Sequence, residues 1–438
     1  MSYRYFLCIV LIASLGFSQK SQGGAPRGLY NSLTKITPEI EMPLLDIDAL
    51  LQEDEFLPPG KPYRYGVRLP VDLSPHNSGV WETLLDGTRV WKLIISSQFA
   101  YAMNLSFDSF YLPENSKLFI YNPDFSMIYG AYTELNNNSE EVFASPLLKG
   151  DELIIEYSEP VDVSEEFKLH IEYVVHDYKD ILNYYNERNS NRTCGTNVVC
   201  PEADPYEDQI NAVSWLDMGG YICTGSMLNN TAQDLTPYYI TAWHCTEGQN
   251  ENTFRFYFNY ETNSCSGSSA SYGSYAYGST SRASSGSMDG DFTLLEITDT
   301  IYDSWDVYYA GWRRNSSSPT IASGVHHPGG APKKIIFDND NAYSAGSISW
   351  YGGGYSPSGS HWVINWDDGG TEGGSSGSPA YDNNGRFIGV LSGGGNECSN
   401  SSSSGDSYYG KFSYAWNFGS NASSRLKDWL DPSNTSQY

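Results

Sequence analysis

Three short stretches of the chain carry the side chains that nucleophilic acyl transfer requires. In Gly374-Ser375-Ser376-Gly377-Ser378-Pro379 a serine lies between two glycines. A reactive serine needs an exposed hydroxyl on a tight turn and backbone N–H groups that converge on the developing oxyanion. Ser376 is therefore the candidate nucleophile, and the N–H groups of Gly374 and Ser376 are the candidate oxyanion hole. Taken alone, a Gly/Ser hexapeptide in a serine-rich chain is more simply a flexible loop. The second stretch, Thr241-Ala242-Trp243-His244-Cys245, is preceded by Cys223-Thr224-Gly225-Ser226. If Cys223 and Cys245 pair, the bridge pins the residue next to His244, and a general base must be held within hydrogen-bond reach of the proton it takes. A histidine beside a cysteine is also a metal-ligand pattern. Here no CxxC or HxxxH spacing accompanies it, and oxidised cysteines offer no thiolate, so no metal is expected. The third stretch, Asp289-Gly290-Asp291-Phe292-Thr293-Leu294-Leu295-Glu296, puts an acid at the mouth of an apolar strand. Such an acid can be buried against a histidine and hold its tautomer. Alone it is an Asp-Gly turn. Asp291 abuts the strand directly and is preferred to Asp289.

The elements that must position these groups are strands. From residue 193 onward the composition turns to Gly, Ser, Tyr and Trp, with every cysteine except Cys8. Short β-rich runs at 254–259, 292–297, 362–366 and 387–391 alternate with Gly/Ser loops, and 423–430 reads as one amphipathic helical stretch stopped by Asp431-Pro432. This is the pattern of a β-barrel unit over 193–438. Between 63 and 178, runs at 90–95, 117–121, 152–157 and 168–175 are separated by turn signals such as Asp86-Gly87 and Lys149-Gly150-Asp151, the spacing of an all-β sandwich. Residues 19–62 are proline-rich and read as an extended or partly helical lead-in, and 180–191 as a linker. Residues 1–18 combine Arg4, an apolar run and the small residues Gly16 and Ser18, the features of a secretory signal peptide, so export is expected. Six cysteines in an exported chain imply three disulfides. A formal charge of −27 on 438 residues argues against nucleic acid or an anionic membrane as a partner, because both are repelled.

In chain order the three groups run His244, Asp291, Ser376, the order of chymotrypsin-type enzymes rather than of subtilisins or α/β-hydrolases. Over roughly 193–432 the sequence resembles the lysyl endopeptidases, a bacterial branch of the chymotrypsin-like serine peptidases. The resemblance rests on Asn197-Val198-Val199-Cys200-Pro201-Glu202, Cys223 to Ser226, Asn229-Asn230-Thr231-Ala232, Asp291 to Glu296, Ala310-Gly311-Trp312, His326-His327-Pro328, Gly374 to Pro379 and Asp428-Trp429-Leu430-Asp431-Pro432. It implies a chymotrypsin-like double β-barrel and an endopeptidase without a cofactor. It also implies an export signal, and an N-terminal pro-region over 19–192. The protein would act as a monomer, with protein and peptide substrates and its own pro-region as partners. Pairing of Cys194 with Cys398, Cys200 with Cys265 and Cys223 with Cys245 is implied as well.

The pattern departs from the family around the substrate pocket. The family binds the substrate lysine through a carboxylate two residues before a Tyr-Gly pair. That pair is Tyr409-Gly410 here, which puts Ser407 at the site, with Asp406 one residue away. Glu372 matches a second acid. The family also stacks a tryptophan on a histidine: Trp350 or Tyr351 supplies the aromatic, but Ser392 stands in the histidine's place, followed by Gly393, which pairs with the substrate backbone. Cleavage after Lys or Arg is expected, since a buried carboxylate attracts either cation. The alternatives are a serine peptidase with another preference, or a silent binding protein on the same fold. Ser375 precedes the nucleophile and carries no charge to pair with a newly freed N-terminus, so maturation is expected by loss of the pro-region after Lys179, Arg188 or Arg192. Asp338-Asn339-Asp340 reads as a turn and the tandem His326-His327 as structural.

Overall fold

The computed structural model describes residues 21–30, 34–56, 61–163, 165–183, 194–267, 270–271, 274–351, 353–394, 398 and 405–435. The expected signal peptide, Arg188, Arg192 and the serine run at 399–404 lie outside them. Among the described residues no helix is long and apolar enough to cross a membrane.

Alternation of apolar and polar side chains builds two facing sheets in the first half. In the strand Arg89–Ser96 Val90, Trp91, Leu93 and Ile95 are buried. It joins Glu39–Glu41, Val80–Thr83, Glu152–Glu159, Lys117–Tyr121 and Ile128–Tyr132 in one sheet. The other contains Leu148–Lys149, Ala102–Tyr111, Phe143–Ala144, Lys168–Asp177 and Gly66–Leu73. Leu93, Ile120 and Ile155 from the first meet Leu105, Phe107 and Ile171 from the second in one core. A lead-in helix, Ile47–Glu55, is capped by Asp46, whose carboxylate accepts from the N–H of Ala49.

The second half is a chymotrypsin-like pair of antiparallel β-barrels. One sheet runs Ser274–Tyr277, Arg255–Phe258, Val213–Asp217, Tyr221–Leu228, Tyr238–Thr241, Thr293–Ile297, Ser279–Ser284. The other runs Thr196–Asn197, Lys334–Asp338, Ala322–His326, Pro379–Asp382, Phe387–Gly394, Ser407–Lys411, His361–Ile364, Tyr343–Ser344. Each has its own apolar cluster. A further cluster joins the two: Val213, Leu228, Ile240 and Leu294 from the first pack with Val325, Tyr381 and Val390 from the second. The stretch expected to be helical at 423–430 resolves into a 3-10 turn, Ala422–Ser424, and a short helix, Lys427–Leu430.

The two halves are joined through buried polar contacts. Asp217 and Arg255, both fully buried, form an ion pair with Nη2 2.9 Å from Oδ2. Tyr65 OH donates to Asp217 Oδ1 at 2.9 Å, and Arg255 Nη1 donates to the carbonyl of Ser145 at 2.6 Å. Removing one partner leaves an uncompensated buried charge, so Asp217→Ala is expected to cost about 3–5 kcal/mol in chemical denaturation. Tyr65→Phe, which removes one hydrogen bond, is expected to cost about 1–3 kcal/mol in the same measurement.

Candidate active site

Ser376 lies in the loop entering Pro379–Asp382, on the second barrel, and its position depends on the glycines beside it. Gly374 and Gly377 have φ of +90° and +80°, in the left-handed region. A Cβ on Gly377 would lie 2.1 Å from Thr241 Oγ1 and 2.4 Å from the carbonyl of Thr224. On Gly374 it would lie 2.8 Å from the carbonyl of His327. The loop thus presses against the first barrel, where the N–H of Thr224 donates to the carbonyl of Ser376 at 2.8 Å. Among the described residues, the N–H groups of Gly374 and Ser376 donate to no protein acceptor.

His244 and Asp291 come from the first barrel. His244 follows the strand Tyr238–Thr241 in the one-turn helix Trp243–Thr246. Asp291, at φ +45°, immediately precedes Phe292 and the strand Thr293–Ile297. Both are buried. The Asp291 carboxylate accepts twice from His244: from the backbone N–H at 3.0 Å, and at Nδ1, 2.9 Å from Oδ2. An ionised carboxylate only accepts, so the imidazole is held with its proton on Nδ1 and Nε2 available as a base. Nε2 is buried and has no partner among the described residues. The Cys223–Cys245 bridge fixes the residue after His244, and Thr224, which holds the carbonyl of Ser376, is the residue after Cys223. His244 and Ser376 are therefore tied to the same strand, Tyr221–Leu228. Asp289 takes another role, accepting from Tyr414 OH at 2.9 Å.

Ser375 is held by a neutral relay. Its Oγ accepts from the N–H of Glu372 at 3.2 Å and lies 2.7 Å from Nδ1 of His326, while His326 Nε2 lies 2.9 Å from the carbonyl of Cys194. A carbonyl only accepts, so Nε2 carries the proton and Ser375 donates to Nδ1. Burial pushes the His326 pKa down to about 3, which keeps the ring neutral. His326 thus holds the loop that carries Ser376. Nothing in the local sequence signals that link.

Around the pocket, Trp350 is buried and Tyr351 is 72% exposed, so Trp350 is the aromatic next to Gly393, whose added Cβ would lie 3.3 Å from its ring. Ser392 Oγ lies 3.1 Å from Nε2 of His361, and the His361 ring centroid is 5.8 Å from that of Trp350. A histidine thus does stand beside the tryptophan, supplied by the strand His361–Ile364, which Ser407–Lys411 separates from the strand of Ser392. Sequence reading missed it because its proximity depends on the register of His361–Ile364 against Ser407–Lys411. Burial lowers the His361 pKa to about 4. Asp406 Oδ2 accepts from Tyr343 OH at 3.3 Å, and Ser407 is buried with its Oγ 3.3 Å from Thr371 Oγ1. Ser407 thus meets Thr371, in the segment leading to Ser376, while Asp406 meets Tyr343. Glu372 is half-buried against the Cys194–Cys398 bridge. All three implied disulfides are formed.

A family model described as "Lysyl endopeptidase, C-terminal domain" matches residues 188–410, just over half of the chain. The chain belongs to the lysyl endopeptidase family. It is thereby a serine endopeptidase. Lysyl endopeptidase of Pseudomonas aeruginosa is 28% identical to this family member over 389 residues, which cover 81% of this chain and 80% of the relative. Among solved structures, a Glu endopeptidase in complex with MPD matches 51% of this chain and 92% of its own at 18% identity and a TM-score of 0.34. A thermostable serine protease, AL20, from an extremophilic microorganism matches 47% of this chain and 92% of its own at 15% identity and a TM-score of 0.34.

Proposed function

We propose that this lysyl endopeptidase-family chain is an exported endopeptidase precursor that cleaves proteins after Lys or Arg, with His244, Asp291 and Ser376 as its triad. Ser376 Oγ attacks the scissile carbonyl and passes its proton to His244 Nε2. Asp291 stabilises the imidazolium that forms, and the N–H groups of Gly374 and Ser376 receive the oxyanion. His244 then protonates the leaving amine, and water hydrolyses the acyl-enzyme through the same base. The observation that carries this reading is the double contact of Asp291 with His244, which leaves Nε2 without a partner among the described residues, on a base tied through Cys223–Cys245 to the strand that also holds the carbonyl of Ser376. Glu372 supports the preference for a cation, with Trp350 and Gly393 forming the adjoining wall. Asp406 would supply the carboxylate next to the family's lysine-binding position, with its Oδ2 accepting from Tyr343 OH.

Residues 1–18 would direct export and 19–192 would form the pro-region. Lys179 is buried, with its Nζ 2.6 Å from Asp54, so cleavage after Arg188 or Arg192 fits better than after Lys179. A serine-directed phosphonate is expected to label the wild-type protein and not Ser376→Ala. Absence of wild-type labelling would overturn the triad. A peptide library is expected to be cut after Lys and Arg, and a profile dominated by Glu or aromatic residues would overturn the pocket.

A further inference from the structure

Tyr63 lies between the strand that carries Cys223, on the first barrel, and Gly373, on the loop that carries Ser376. Tyr63–Arg64 pairs antiparallel with Tyr221–Ile222, Tyr63 opposite Ile222 and Arg64 opposite Tyr221. Ile222 precedes Cys223, whose bridge to Cys245 ends beside His244. Followed backwards from Tyr63, the segment therefore approaches the base: Pro62 is buried, and Lys61 Nζ donates to Glu247 Oε2 at 2.9 Å, three residues past His244. On the opposite side, the Tyr63 ring lies against Gly373, where an added Cβ would be 2.5 Å from Cδ2. Gly373 directly precedes Gly374, a candidate oxyanion donor.

The chemistry of the proposed reaction assigns this side of the cleft. His244 must protonate the departing amine, so the residues that follow the scissile bond leave past the imidazole and along the bridge beside it. The segment 61–65 runs in that direction, away from His244. Its main chain is paired to a strand edge, the mode by which extended peptides bind sheets.

Resting on the proposed function, we infer that Gly373 and Glu247 are specificity-determining residues for the leaving side of the substrate. They select an extended segment with an aromatic side chain over Gly373 and a basic group near Glu247, and the chain's own Lys61–Tyr65 fills this subsite until it is displaced. Gly373 has no side chain and admits a flat ring, and Glu247 supplies the matching charge.

The test uses the full chain, its integrity followed by mass, and two substrates with the same lysyl acyl part. One carries a nitroanilide leaving group with no following residues, and the other is extended by three residues. The extended substrate is expected to be turned over at least ten-fold less efficiently, relative to the nitroanilide, by the wild-type chain than by Tyr63→Ala. Lys61→Glu, an exposed change that repels Glu247, is expected to raise the same ratio several-fold and keeps the test decisive if Tyr63→Ala does not fold. Equal ratios in the wild-type chain and both variants would overturn the inference. If neither substrate is hydrolysed and Ser376 is not labelled by the phosphonate, the triad fails and the inference with it.

Discussion

Replacing Asp291 with asparagine is expected to lower kcat/KM toward a lysyl peptide by about four orders of magnitude, with the fold intact. Asp291 receives both the backbone N–H and Nδ1 of His244. An asparagine of the same shape can keep the backbone bond only by turning its amide NH2 toward Nδ1. That arrangement selects the tautomer with hydrogen on Nε2, which has no lone pair for the Ser376 proton. Loss should therefore fall on kcat, while KM changes little, because no pocket residue is disturbed. His244→Ala removes the base itself and is expected to lower kcat by up to about 10⁶-fold. A fall of less than ten-fold in either variant, measured on purified protein with native thermal stability, would show that this imidazole is not the base.

His326→Phe is expected to lower kcat by about 10²–10³-fold, the scale set by losing an oxyanion donor. The ring makes no contact with the catalytic groups. It acts through Ser375, whose backbone lies between Gly374 and Ser376, and without the relay to Cys194 both donors lose their fixed aim. His326→Gln can still donate to that carbonyl and accept from Ser375, so it should recover a large part of the rate, which a purely steric role would not allow. Stability supplies a second readout. The folded ring has a pKa of about 3 against 6.5 in the unfolded chain, so the unfolded state binds the extra proton between those values. The ring's contribution is thus complete above pH 6.5 and is lost as pH falls toward 3. The stability difference between the wild type and His326→Gln should shrink by about 1.4 kcal/mol per pH unit across that window. A constant difference would mean that the ring is charged in the folded protein.

What was legible in the sequence was what local chemistry dictates. β-branched and aromatic runs between turn signals marked Arg89–Ser96 and Lys168–Asp177. Gly374 and Gly377 announced a turn that no side chain could take, and Asp291 stood at the mouth of an apolar strand. What escaped depends on which strands lie side by side. His361 meets Ser392 and Trp350 only through the pairing of three strands, and His326 reaches Ser375 across 49 residues. Asp406 and Ser407 are neighbours in sequence, but adjacent residues in and at the start of a strand point to opposite faces, so one meets Tyr343 and the other Thr371. Tyr63 offered no signal at all, since its place over Gly373 is a meeting of residues more than 300 positions apart.

One carboxylate gathers three distant parts of the first half. Asp54 accepts from Arg64 Nε at 2.7 Å, Tyr178 OH at 2.5 Å and Lys179 Nζ at 2.6 Å. The lead-in helix, the strand in the cleft and the end of the last sandwich strand are thus knotted at one point. A cut beyond residue 183 severs the chain downstream of that knot and undoes none of it. On the proposed precursor reading, scission and release would therefore be separate events: the nicked molecule would keep Lys61–Tyr65 in place until the knot itself is digested or pulled apart.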